Sequence, residues 1–134
     1  AMKNSEPNAG VRLHPSPALV IRADTPIKNV LEAMQANRVG SILVVSDRGD
    51  GELVGIFTER DLLNKFLLVA SSQSWARPIR TVMETPVITL GVDEFDSAAQ
   101  RMLDRGFRHL PVTYKDDTGK TRIAGVLSMR DLFR

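Results

Sequence analysis

The 134-residue chain has no cysteine, only two histidines and almost no excess of either charge, with 18 Lys and Arg against 16 Asp and Glu. Without thiols there are no disulfides and no thiolate metal sites, a composition compatible with the reducing cytoplasm expected for this protein. No run approaches the roughly 20 apolar residues that a bilayer crossing requires, and no signal-peptide pattern opens the chain, so a soluble protein with no membrane partner is expected. Acidic and basic residues are interspersed and form no basic stripe, which argues against nucleic acid as a partner. The opening AMKNSEPNAG is polar, Ala1-Met2 reads as a cloning scar, and residues 1–14 are expected to be a flexible tail.

What the chain does have is a repeat. GIFTERDLL at 55–63 returns as GVLSMRDLF at 125–133, an offset of 70. Upstream, TPIKNVLEAMQANRVGSILVV (25–45) aligns with DEFDSAAQRMLDRGFRHLPVT (93–113) at an offset of 68. The two extra residues fall where SDRGDGE becomes YKDDTGKTR, both turn-like in composition. The expected organisation is a first repeat over 15–70, a linker over 71–80 around Trp75 and Pro78, and a second repeat over 81–134. Halves of this size are marginal alone, so a shared core is expected.

Each half reads as strand, helix, strand, strand, helix, an α/β (α+β) pattern. ALVI (18–21) is a short strand, and Thr25 with Pro26 suits a helix start carrying Ile27, Val30, Leu31 and Met34 on one face and stopping near Arg38 to Gly40. SILVV and ELVGIF form a hairpin that delivers Thr58 to a helix, ERDLLNKFLLVA, whose Leu62, Phe66 and Leu67 suit a subunit interface. In the second half PVITL opens, and Asp93 with Asp96 is expected to cap a helix bearing Phe95, Ala98, Ala99, Met102 and Leu103. HLPVTY and RIAGVL make the second hairpin, and SMRDLF starts the last helix.

A hydroxyl three residues ahead of an Asp is by itself an N-cap. Its repetition as Thr58/Asp61 and Ser128/Asp131, with Arg60 and Arg130 kept beside the acids, asks for more, because capping gives no reason to keep the Arg. A fixed carboxylate suits two vicinal ribose hydroxyls, and a hydroxyl with helix-start amides suits a phosphate. Arg108 and His109, absent from the first copy where Gly40-Ser41 stands, add positive charge; adjacent on a strand, they are expected to point to opposite faces. A His109 with an ordinary pKa is expected to strengthen phosphate binding as pH falls below about 6.5.

These doubled strings resemble the tandem cystathionine-β-synthase (CBS) domain pair, or Bateman module, over about residues 15–134. The resemblance implies two β-α-β-β-α repeats packed about a pseudo-two-fold axis, a homodimer, and adenine nucleotides (AMP, ADP, ATP, NAD) or S-adenosyl compounds bound in two clefts. Carried over by position, the first cleft takes Thr58, Arg60 and Asp61 with Thr85, Val87, Phe107, Arg108 and His109. The second takes Ser128, Arg130 and Asp131 with Leu19, Val39, Gly40 and Ser41. The implied roles are Asp to ribose, Thr or Ser to the first phosphate, Arg and His to phosphates, and Val87 or Leu19 against the base. The Arg108-His109 pair makes the first cleft the one expected to hold phosphates more tightly. A regulatory ligand sensor with no catalytic cofactor, signalling to an effector domain or protein, is the expected function. Its rivals are a dimerisation module with empty clefts and, less favoured for want of a nucleophile-base spacing, an enzyme acting on a nucleotide.

Overall fold

A computed structural model describes residues 15–66 and 74–133. Strand β1 (Val20–Arg22), helix α1 (Ile27–Asn37), strands β2 (Ser41–Val45) and β3 (Leu53–Thr58) and the short helix α2 (Glu59–Asp61), which widens into a π-type turn over Leu62–Phe66, make the first half. Strand β4 (Leu90–Gly91), a 3-10 segment (Val92–Ser97), helix α3 (Ala98–Arg105), strands β5 (His109–Lys115) and β6 (Thr121–Ser128) and a 3-10 turn (Met129–Phe133) make the second. Each half holds a three-stranded sheet of the same topology, β1-β2-β3 and β4-β5-β6, with the first pair parallel and the second antiparallel. The fold is therefore mixed α+β. Register shifts at Val44/Val45 and at Val112/Thr113 sit at matching places, and the second hairpin has absorbed the insertion by running two residues longer in each strand.

Several local expectations are corrected. α1 buries Ile27, Val30 and Met34 as its spacing predicts, but Thr25 is not its cap: Pro26 holds the extended cap geometry with no side-chain bond. The chain from 77 to 80 takes over that work. Ile27 N–H donates to Arg77 O at 2.8 Å, and Ile79 and Arg80 donate back to Thr25 O and Ala23 O. Asp93 does not cap α3, which begins after the 3-10 segment with Ser97 at its cap position, and Glu94 instead accepts from Gly91 N–H at 2.8 Å and pairs with Arg101 at 2.7 Å; the side chains of Phe95, Asp96 and Ala99 lie outside those described. Leu103, expected on the apolar face, is 68% exposed, while Ala98 and Met102 are buried. Of PVITL only Leu90 enters the sheet. Leu67, placed on the expected interface helix, lies outside the described residues.

The buried side chains gather into two clusters, and the first draws on both repeats. One gathers Ile27, Val30, Met34, Ile42, Val44 and Phe57 with Ile79 and Val82, and Trp75 covers its edge. The other gathers Leu90, Ala98, Met102, Leu110, Val112 and Leu127. Each sheet buries one face against its own helix, the smallest unit that satisfies both.

What joins the halves is an exchange of leading segments. Ser16 bridges to Val126 in β6, with N–H···O bonds of 2.8 and 2.9 Å, and Glu84 bridges to Ile56 in β3, with bonds of 2.8 and 3.1 Å. Both crossings pass over a glycine. A Cβ on Gly125 would sit 2.5 Å from Ser16 O, and one on Gly55 would run into the Met83 thioether. The leading Gly of each repeated string thus admits the opposite half, its backbone at Gly125 and the Met83 side chain at Gly55.

Candidate functional site

Both repeated strings open onto one groove of about 1200 Å³ between the halves. On the first, Asp61 Oδ2 accepts from Thr58 N–H (3.0 Å) and Thr58 Oγ1 (3.2 Å), and Asp61 N–H donates back to Thr58 Oγ1 at 3.3 Å, a reciprocal cap. On the second, Asp131 Oδ2 accepts from Ser128 N–H (2.8 Å) and Ser128 Oγ (3.1 Å). The structural job of the hydroxyl-Asp pair is real in both copies and uses one carboxylate oxygen. The other oxygen is left to differ.

It does differ. Burial pushes the Asp61 carboxyl above its usual range, Thr58 N–H and Lys65 opposing and Glu84 reinforcing, whereas Glu84 is held down first by Lys65. Lys65 Nζ lies 2.9 Å from Glu84 Oε1 and 3.7 Å from Asp61 Oδ1. Asp131 forms no ion pair with a described residue, nor do Arg60, Arg108 or Arg130, so three guanidinium groups face the groove uncommitted.

Arg108 and His109 both line the groove, against the expectation of opposite faces, because β5 begins only at His109 and Arg108 belongs to the turn before it. His109 is cross-strand partner to Ser128, and Met129 N–H donates to Arg108 O at 2.7 Å. A Cβ on Gly40 would sit 3.6 Å from His109 Nε2 and 3.3 Å from Glu59 Oε1, so the bare glycine leaves room for both side chains. Burial lowers the His109 pKa, and Arg108 adds to the effect; Glu59 and Asp131 oppose it. The ordinary pKa expected for His109 is corrected accordingly.

Of the residues singled out in the sequence, Thr58, Arg60, Asp61, Phe107, Arg108 and His109 meet in this groove with Leu19, Val39, Gly40, Ser41, Ser128, Arg130 and Asp131. Thr85 and Val87 do not; they line a separate cavity of about 670 Å³ beside the hairpin turns, with Asp50, Glu52, Lys120 and Thr121. The cause is register. Val44 and Val112 are 68 apart, but their strand partners Ile21 and Leu90 are 69 apart. A one-residue slip reverses the face of an extended segment, so Pro86 and Ile88, not Thr85 and Val87, stand opposite Pro17 and Leu19 on the groove wall. Glu84, Lys65 and Glu59 were missed as well. The differences between the copies, Ser16 against Glu84 and Glu59 against Met129, are the signals that could have marked the two glutamates. Among the described residues no group of three or more His, Cys, Asp or Glu is placed to hold a metal ion.

The groove therefore offers apolar walls, cations with no ion-pair partner among the described residues and two fixed carboxylates, a set suited to an anionic ligand that also carries hydroxyls and a flat apolar group. A family model described as CBS domain matches residues 12–68 and 79–134. An uncharacterized 17.7 kDa protein in the bps2 3′ region of Acidianus ambivalens is 30% identical over 116 residues, 86% of this chain and 65% of that protein. The curated relatives that match are spanned by this chain over between 18% and 65% of their length. Among solved structures, a CBS-domain containing protein from Agrobacterium tumefaciens superposes with a TM-score of 0.72 at 27% identity, covering 87% of this chain and 81% of its own. A CBS domain protein from Pyrobaculum aerophilum complexed with AMP does so with a TM-score of 0.71 at 26% identity, covering 87% and 84%. Among the described residues no helix is long and apolar enough to cross a membrane.

Proposed function

The chain belongs to the CBS-domain family and carries two copies of the domain, and from that premise we propose that it is a regulatory module binding an adenine nucleotide (AMP, ADP, ATP or NAD) in the groove between them. The observation that carries the reading is the convergence on a single groove of the two hydroxyl-Asp pairs and three guanidinium groups that have no ion-pair partner among the described residues. A solved relative complexed with AMP supports it. In this reading Asp61 and Asp131 take ribose hydroxyls, Thr58 and Ser128 with Arg60, Arg108, Arg130 and His109 take phosphates, and Leu19, Pro86 and Ile88 flank the base. The bound state passes to a second copy or an effector through outward apolar side chains such as Leu63 and Leu103, 62% and 68% exposed.

Thermal shift with AMP, ADP, ATP and NAD, with no divalent ion added, tests it. Ligand at one hundred times its Kd adds about 2.7 kcal/mol, a rise of several degrees for a chain of this size. A melting point that none of the four moves would support a dimerisation module with empty clefts.

A further inference from the structure

The two copies part company at one carboxylate. Ser16 and Glu84 hold equivalent places, each bridged to the matching position of the opposite sheet, Val126 and Ile56. Of these two, Glu84 alone is an acid, and it lines the groove along with Glu59. Its backbone is fixed by Ile56 at 2.8 and 3.1 Å, so the side chain starts from a held base. From there it meets Asp61, and Lys65 gathers both acids onto one ammonium at 2.9 and 3.7 Å. The Asp61 side chain is left 5% exposed. Asp131, with the same hydroxyl and amide on Oδ2, is half-buried and forms no ion pair with a described residue, and the acid on its side, Glu59, acts on His109.

We propose that Glu84 and Lys65 latch the Asp61 half of the groove against a vicinal diol, so that a nucleotide seats its ribose on Asp131 first and reaches Asp61 only once Glu84 swings out. This rests on the nucleotide reading above. A diol donating to Asp61 Oδ1 has to displace Glu84 and break its 2.9 Å contact with Lys65. A phosphate entering that half meets the Glu84 charge at short range, where repulsion is least screened. On the other side the favourable groups travel together: His109 is strand partner to Ser128, and the Arg108 carbonyl is bonded to Met129. The order of the two halves is thus the reverse of the one that Arg108 and His109 suggest from sequence alone.

Calorimetry with AMP tests the latch on the wild type, on Glu84→Ser, which copies the residue of the other repeat, on Glu84→Ser with Asp131→Ala, and on the triple variant that adds Asp61→Ala. Glu84 is 55% exposed, so its replacement removes no core packing. The wild type should bind one equivalent per chain and Glu84→Ser two; the double variant should keep one, and the triple variant none. A Glu84→Ser protein that still binds one equivalent, or a wild type that binds two alike, overturns the latch and leaves the nucleotide reading standing. AMP that binds neither the wild type nor Glu84→Ser overturns that reading and the latch with it.

Discussion

His109 shows how a residue visible in the sequence can have its chemistry set by neighbours that are not. Burial and Arg108 favour its neutral form. A folded pKa below the unfolded value means the unfolded chain binds the extra proton first, so this contribution to stability is present above about 6.5 and lost as pH falls through the lower, folded pKa. Proton NMR should therefore give His109 a titration midpoint below about 6.5, and His109→Gln should flatten the pH dependence of stability just below that pH. A midpoint at or above it would contradict the burial argument. The carboxylates allow a second residue-level prediction: 2′-deoxy-AMP should bind at least about tenfold more weakly than AMP, the loss of one charge-assisted bond of roughly 1.5–3 kcal/mol, and Asp131→Ala should erase the difference. Equal affinities in calorimetry would remove the carboxylate from its ribose role. Thr58, Asp61, Ser128 and Asp131 were legible because one local spacing serves both cap and site. Glu84 was not, since its importance comes from a bridge to Ile56.

At the scale of elements, alternation and turn composition made the two hairpins legible, and the apolar spacing of Ile27, Val30 and Met34 gave α1. What failed were the caps of α1 and α3 and the bounds of the short outer strands, whose hydrogen-bond partners are distant in sequence. The α1 start is completed by Arg77 and Ile79, and β4 is placed one residue out of step with β1, which sends Val87 to the far cavity and Ile88 to the groove. The paired glycines allow a graded test of the crossings. At Gly125 a methyl meets backbone, Ser16 O at 2.5 Å, which can yield only by moving the whole leading segment. At Gly55 it meets the flexible Met83 side chain. Gly125→Ala should cost about 1–3 kcal/mol, the usual range for overpacking, and Gly55→Ala distinctly less. Denaturant titration that ranks them the other way would mean that the Ser16 crossing gives way more easily than Met83.

For the whole molecule, two cores do not mean two independent halves, because Ile79 and Val82, within the second matched domain, are buried in the first core. Fluorescence of Trp75, which packs on that core, should accordingly change in the same urea transition as the far-UV circular dichroism of the entire chain. Separate midpoints would show the halves melting apart. Light scattering at micromolar concentration should give about twice the 14.8 kDa chain mass if the exposed Leu63 and Leu103 mark a symmetric contact; a monomer mass would put the readout elsewhere. The exchanged segments carry one further consequence. Residues 15–17 clasp the second sheet while residues 77–84 clasp the first, so each half holds a piece that completes the other. Two polypeptides divided between the halves should therefore find each other in solution and rebuild the groove by complementation.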